Sequence, residues 1–221
     1  MNYLTHKLLN SEELEIIRKN LEKDSLEWED GKLTAGKHAA KEKNNLQLRR
    51  DSDLSIKFSG LITKKILSNE LIKSFSLPKK IHGTIFSKSK SGMKYGRHID
   101  NAYMSSGRAD LSFTVFLNCK KKYEGGALSI QGLNSEEKFK LDAGEIIIYP
   151  STYLHSVEKV IDGERLVFIG WIESYVKSIE EREYLFDLDA AARSLLAKYG
   201  RSEEVDLIYK SYSNFLRRLG N

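Results

Sequence analysis

His98 and Asp100, two residues apart in the run Tyr95-Gly96-Arg97-His98-Ile99-Asp100-Asn101, have the clearest capacity for chemistry in this chain. In extended backbone, residues i and i+2 project from one face, so both can reach one metal ion while Ile99 packs on the other side. A third ligand at His155, arriving from a strand far along the chain, would complete a two-histidine, one-carboxylate facial triad. That donor set suits iron and leaves coordination positions open for substrates, which points to oxygen activation. A His-x-Asp also arises by chance in a chain with five histidines and 31 acidic residues. Context separates this one from chance. Strand-like runs surround it, His155 follows a glycine-turned strand pair and Pro150, and the basic Arg165 comes ten positions after His155 on the next strand.

The elements that must position these residues are legible as a change of period. Ser11 before Glu12, Glu13, Leu14, Ile17 and Leu21 predicts a capped amphipathic helix over residues 12–23. Asp30-Gly31 reads as a turn, and residues 34–46 read as a long polar surface loop that could lie over a site. A second helix is expected from about Ser52, and a short third one ends before Pro78. From Lys80 the period becomes two. Leu111, Phe113, Val115 and Leu117 alternate with Ser112, Thr114, Phe116 and Asn118, and Glu145 to Tyr149 is a buried-looking run. Asp162-Gly163 reads as a tight turn into Arg165 to Ile172. Seven or eight short strands at this spacing suggest a jelly-roll whose mouth holds a small ligand. Ser178 and Ser202 each cap a C-terminal helix, and that pair either backs one sheet or offers a homodimer contact through its aromatic face.

The expected class is therefore α+β, a double-stranded β-helix (jelly-roll) core with N-terminal and C-terminal helices packed on one sheet. Its divisions are residues 1–79 as a helical support region, 80–175 as the jelly-roll core, and 176–221 as C-terminal helices. With 221 residues and 40% hydrophobic content the chain can bury a sizeable core. No window approaches a membrane span, and the N-terminus lacks a signal-peptide pattern, so a cytoplasmic protein is expected. The single cysteine, Cys119, excludes an internal disulfide and a thiolate zinc cage. A net charge of +5 comes from scattered Lys and Arg without interleaved aromatics, which reads as a solvated surface rather than a nucleic-acid groove and suits an anionic small substrate equally well.

The runs Y-G-R-H-I-D-N, R-A-D-L-S-F-T-V-F-L-N, E-G-G-A-L, A-G-E-I-I-I-Y-P-S-T-Y-L-H-S-V and E-R-L-V-F-I-G-W-I-E-S resemble the PKHD-type hydroxylases. These are Fe(II)- and 2-oxoglutarate-dependent dioxygenases related to prolyl 4-hydroxylase. The resemblance spans Ile81 to Ser174 and extends through W-x-D-G, T-A-G and K-N-N near the N-terminus and F-D-L-D ending at Asp189. It implies iron ligation by His98, Asp100 and His155, and capture of the distal 2-oxoglutarate carboxylate by Arg165, to which a guanidinium is suited by its bidentate fork. It further implies O2 as oxidant, succinate and CO2 as products, hydroxylation of a C–H bond, and ascorbate to rescue oxidised iron. The retained Asp100 argues against the halogenase relatives, which lack the carboxylate. The substrate could be peptidyl proline, a free amino acid or a small metabolite.

Secondary candidates are weaker. By strict alternation Tyr95 shares a face with Arg97 and lies opposite His98, so it reads as a packing aromatic. Ser112, Thr114 and Tyr149 could donate hydroxyls to 2-oxoglutarate, Asn101 could orient Asp100, and Arg108 with Asp110 could be a structural ion pair. The rivals are a jelly-roll that binds a metabolite without turnover, and a cupin-type iron oxygenase that does not use 2-oxoglutarate. Neither requires His98, Asp100, His155 and Arg165 together.

Overall fold

Alternation at residues 111–117 produces a strand buried on both faces, and the fold is organised around it. Leu111, Phe113 and Val115 enter a core shared with helices, while Ser112, Thr114 and Phe116 face a second sheet. The computed structural model describes residues 3–23, 26–34, 37–132 and 135–221, and the side chains of residues 38, 39 and Lys37 lie outside that description.

In chain order the first elements are β1 (Leu4–Lys7), α1 (Ser11–Leu21), β2 (Trp28–Asp30), α2 (Lys37–Glu42), β3 (Lys43–Asn44) and β4 (Leu46–Leu48). Two helices follow, α3 (Asp53–Ser68) and α4 (Glu70–Ser76), and then β5 (Pro78–Lys90), β6 (Lys94–His98), β7 (Tyr103–Met104) and β8 (Gly107–Arg108). The rest of the core is β9 (Leu111–Phe116), β10 (Tyr123–Gly125), β11 (Leu128–Gln131), β12 (Glu136–Phe139), β13 (Glu145–Pro150), β14 (His155–Val157) and β15 (Val160–Ser174). Helices α5 (Ile179–Tyr199) and α6 (Glu203–Leu219) close the chain.

The large sheet runs β1-β13-β9-β15-β5-β4-β2, with β10 added on β15, and the small sheet runs β12-β11-β14-β6-β3. All the pairings are antiparallel, and the two sheets face each other as a jelly-roll. Phe116, Leu128, Ile130, Ile147, Tyr149 and Val167 fill one end of the space between them. The outer face of the large sheet is covered by Ile17 and Leu21 of α1, Phe58, Ile62 and Ile66 of α3, and Ile72 of α4, packed on Phe86, Phe113, Val115, Ile146, Ile148 and Phe168. Helix α5 leans on α4 through an edge-on contact between Phe75 and Phe186, and Leu216 and Leu219 of α6 pack with Leu77, Val176 and Leu185. Helices α1, α3 and α4 thus lie on the large sheet, as their apolar stripes predict, with α5 and α6 stacked beyond α4, whereas the short α2 packs beside β6 of the small sheet.

Several local expectations are corrected. The cap of α1 is Asn10 and not Ser11: the Asn10 side chain accepts from the Glu13 N–H at 2.9 Å, and Glu13 accepts from the Asn10 N–H at 3.1 Å. Residues 34–46 are mostly ordered into α2, β3 and the start of β4 and are no open loop, although Ala35 and Gly36 lie outside the described residues. Strands of two or three residues are too short to show a period. The same brevity hides β1 to β4 in the first 79 residues, which add edges to both sheets, and it explains why fifteen described strands exceed the seven or eight expected. Asp162-Gly163 does not turn the chain. Gly163 sits inside β15 opposite Tyr123 with φ 77°, where a Cβ would meet the Lys122 carbonyl at 2.3 Å. A glycine with positive φ marks a bulge as readily as a hairpin.

Candidate active site

A cavity of about 910 Å³ opens between the two sheets, and the triad lies on its wall. His98 ends β6 and His155 begins β14, and the two residues are direct partners across the antiparallel pair. Their rings are 4.3 Å apart, while Asp100 stands just beyond the strand with one oxygen 3.7 Å from the His155 Nε2. One donor atom from each of His98, Asp100 and His155 lies within 4.8 Å of the others. Ile99, expected to pack on the side opposite His98 and Asp100, is instead 53% exposed and lines the cavity, because the strand ends at His98.

Backbone carbonyls decide which imidazole nitrogen is free. His98 Nδ1 lies 2.8 Å from the Gly96 carbonyl and His155 Nδ1 2.9 Å from the Tyr153 carbonyl, so each donates from Nδ1 and keeps Nε2 as a lone-pair donor. Burial, with the neighbouring His155, pushes the His98 imidazole down to about 4, which keeps it neutral and ligating at ordinary pH. Asp100 is held from behind: the Ser112 hydroxyl donates to its Oδ2 at 2.6 Å and is itself 2.7 Å from the Ser151 hydroxyl. Two imidazoles with free Nε2 atoms and one oriented carboxylate are borderline and hard donors of the kind that would hold Fe(II) at the cavity wall.

Arg165 projects from β15 into the same cavity and is 3% exposed. Its guanidinium lies 5.5 Å over the Phe116 ring, its Nε has no hydrogen-bond partner, and no carboxylate among the described residues pairs with it. A buried cation with an unused donor is costly unless an anion arrives. Burial lowers its pKa, partly offset by the Tyr123 and Tyr149 phenols, yet a guanidinium stays charged. Tyr149 lies between this cation and the metal ligands: its ring is 5.3 Å from that of His155. The structure therefore places three candidate metal donors and a separate buried cation in one cavity.

The secondary candidates divide. Ser112 serves Asp100, and Asn101 is exposed and takes no part in holding it. Thr114 and Tyr149 line the cavity. Arg108 and Asp110 are structural: Arg108 Nε is 2.8 Å from Asp110 Oδ1, Arg108 donates to the Ser174 carbonyl and Asp110 accepts the Ser174 N–H, tying β8 to the end of β15. Tyr95 overturns the alternation argument. Its ring stacks on His98 at 3.7 Å and 20°, because a bulge between β6 and β14 sets His98 opposite His155 but Tyr95 opposite Val157. Gly96 and Arg97 of β6 together oppose Ser156 alone of β14, which brings Tyr95 onto the His98 face. Burial and the Asp100 charge hold its phenol well above the ordinary value. Lys43, Ser87, Ser89 and Trp171 also line the cavity and were not singled out by sequence. The signal for Lys43 was present in Lys43-Asn44-Asn45-Leu46-Gln47, where Lys43, Asn45 and Gln47 are all buried. Polar residues in alternation ordinarily read as the solvent face.

Comparison with known proteins agrees with this geometry. Residues 84–173, from β5 to β15, match the model of the 2OG-Fe(II) oxygenase superfamily. Residues 180–220 match the PKHD-type hydroxylase C-terminal domain, so the family pattern includes α5 and α6. A PKHD-type hydroxylase of Prochlorococcus marinus (strain MIT 9215) is 73% identical over 220 residues, covering 100% of both chains. The chain belongs to the PKHD-type hydroxylases. It is thereby an oxidoreductase that depends on Fe(II), 2-oxoglutarate and O2 for hydroxylation. Among solved structures, a prolyl hydroxylase of Trichoplax adhaerens in complex with a hypoxia inducible factor oxygen degradation domain peptide fragment superposes with a TM-score of 0.56. It is 17% identical and covers 83% of this chain and 86% of its own. HygX of Streptomyces hygroscopicus, with nickel, 2-oxoglutarate and hygromycin B bound, gives 0.54 at 12% identity, covering 79% and 84%. At these identities the shared property is the fold.

Proposed function

We propose that His98, Asp100 and His155 hold the Fe(II), that Arg165 receives the distal carboxylate of 2-oxoglutarate, and that a C–H bond of a substrate held in the same cavity is hydroxylated. The balance is one O2 and one 2-oxoglutarate consumed, one oxygen atom placed in the C–H bond, one in succinate, and CO2 released. Iron bound there supplies oxygen activation coupled to oxidative decarboxylation. The chain's own residues orient and exclude. Gly96 and Tyr153 fix the imidazoles, Ser112 fixes Asp100, and Phe116, Val167 and Tyr149 wall the route to Arg165 against water. The observation that carries the reading is the convergence of the three donors within 4.8 Å beside a buried cation that no carboxylate among the described residues neutralises.

Under this reading residues 80–175 carry the metal and 2-oxoglutarate chemistry, residues 1–79 support one face of it and add Lys43, Asn45 and Arg50 to the cavity wall, and residues 176–221 buttress its end. The substrate is a small molecule or a peptidyl group. No described helix is long and apolar enough to cross a membrane, and with one cysteine in the chain we read its location as cytoplasmic. The test is succinate formation from 2-oxoglutarate by purified protein with Fe(II) under air. Succinate that disappears in His155→Ala supports the proposal, whereas turnover unaffected by that substitution sinks it.

A further inference from the structure

We infer that Lys43 and Arg50 form a second anion subsite in the active-site cavity, one that takes a carboxylate of the molecule to be hydroxylated. This rests on the reading that the triad holds the metal and Arg165 holds 2-oxoglutarate.

The cavity has a cation on either side of the triad. On one side, Tyr149 stands edge-on to His155 and feels the Arg165 charge. On the other, Tyr95 stacks on His98, and Lys43 Nζ lies 5.0 Å over the Tyr95 ring. Lys43 is fixed there by β3, the edge strand of the small sheet, where it pairs with Tyr95 of β6. It is 5% exposed and hydrogen-bonds only to the Thr34 hydroxyl, at 3.1 Å, among the described residues. Asp100 and Asp30 influence its charge, but neither forms an ion pair with it. Arg50, exposed at the rim, lines the same cavity and has no ion-pair partner among the described residues.

A lysine kept this far from water without a carboxylate partner is a costly arrangement, as it is for Arg165. One 2-oxoglutarate has one distal carboxylate, because its other end is needed at the metal, so a single co-substrate cannot satisfy both cations. The cavity volume of about 910 Å³ leaves room beside it for a second small ligand. Because Lys43 is buried, its partner must enter the cavity, which selects a carboxylate on a small molecule or a short chain end.

The test uses the full chain loaded with Ni(II), as a metal that does not turn over, and saturating 2-oxoglutarate. Amino acids, N-acetyl amino acids and dipeptides, each as the free carboxylate and as the primary amide, are titrated and followed by ligand-observed NMR. The expected result is binding of carboxylates at least about tenfold tighter than of their amides, as a charge-assisted hydrogen bond provides. Lys43→Met abolishes that preference, Lys43→Arg restores it, and Arg50→Gln, a change at an exposed residue, weakens it severalfold. Affinity for 2-oxoglutarate in Lys43→Met stays within about twofold of wild type. Equal binding of acids and amides, or no carboxylate binding, overturns the inference, as does loss of 2-oxoglutarate affinity in Lys43→Met. Failure of the wild type to take up 2-oxoglutarate with Ni(II), visible before any amino acid, N-acetyl amino acid or dipeptide is added, would instead overturn the reading of the triad and Arg165.

Discussion

Each metal-facing side chain at the residue scale is held by one specific partner, and the partner is as informative as the ligand. Ser112→Ala removes the hydrogen bond to Asp100 without touching the metal. Metal affinity is expected to fall about 10- to 100-fold, measured by Fe(II) or Ni(II) titration, with the fold unchanged. Unchanged affinity would show that Ser112 does not orient the carboxylate. Arg165→Met separates binding from stability. The affinity for 2-oxoglutarate should fall by the equivalent of about 2–5 kcal/mol, while the ligand-free protein melts no lower than wild type, because an unpaired buried charge has been removed. Lys43 adds a pH signature. Burial pushes its amine down to about 8, so it is cationic below that pH and neutral above it. Carboxylate binding at its end of the cavity should weaken as pH rises through 8, and Lys43→Arg should remove that dependence. The sign for folding is opposite. Between about 8 and 10.5 the unfolded chain keeps a proton that the folded chain has released, so this group makes stability rise with pH in that window. That His98, Asp100, His155 and Arg165 meet in one cavity was legible because residue type, spacing and family resemblance agreed. Tyr95 was not, because a bulge changes the face without changing the sequence period.

Strand ends and glycine turns set the site's dimensions at the scale of elements. Gly126, in the turn between β10 and β11, has φ 65°, and a Cβ there would lie 3.2 Å from the Arg165 Cδ and 3.0 Å from Val160. Gly126→Ala should cost about 1–2 kcal/mol for the left-handed backbone and weaken 2-oxoglutarate binding severalfold by displacing Arg165. Thermal melting and calorimetry read the two effects separately, and a loss of stability with unchanged affinity would break the link to Arg165. Strands β5 and β9 were readable from alternation, β13 and the second half of β15 from their apolar runs, and α3, α5 and α6 from their serine caps. The short β2, β3 and β4 were not, since two or three residues carry no period and Lys43, Asn45 and Gln47 bury the side of the strand that sequence assigns to water.

At the scale of the whole molecule, support and chemistry occupy opposite faces of the large sheet. Phe58 of α3 is 1% exposed in the core that backs β5, β9 and β15, on the face away from the cavity. Phe58→Ala should cost about 3–5 kcal/mol in denaturant unfolding. Per folded molecule, metal affinity should change little, and a large change would mean that the helical layer shapes the site directly. Two-layer architecture was legible because the period switches from helical to strand-like near Lys80 and back after Ser178. How the layers leave a cavity lined at both ends by cations was not, because burial of a lysine or arginine depends on contacts between segments far apart in sequence.

The most direct test of the central claim is metal-dependent binding of 2-oxoglutarate, measured by calorimetry on wild type, His155→Ala and Arg165→Met. The account predicts one 2-oxoglutarate per chain in wild type only when Fe(II) or Ni(II) is present, loss of metal binding in His155→Ala, and retained metal binding with weakened 2-oxoglutarate binding in Arg165→Met. Binding of 2-oxoglutarate that is indifferent to the metal, or that survives unchanged in Arg165→Met, would contradict it.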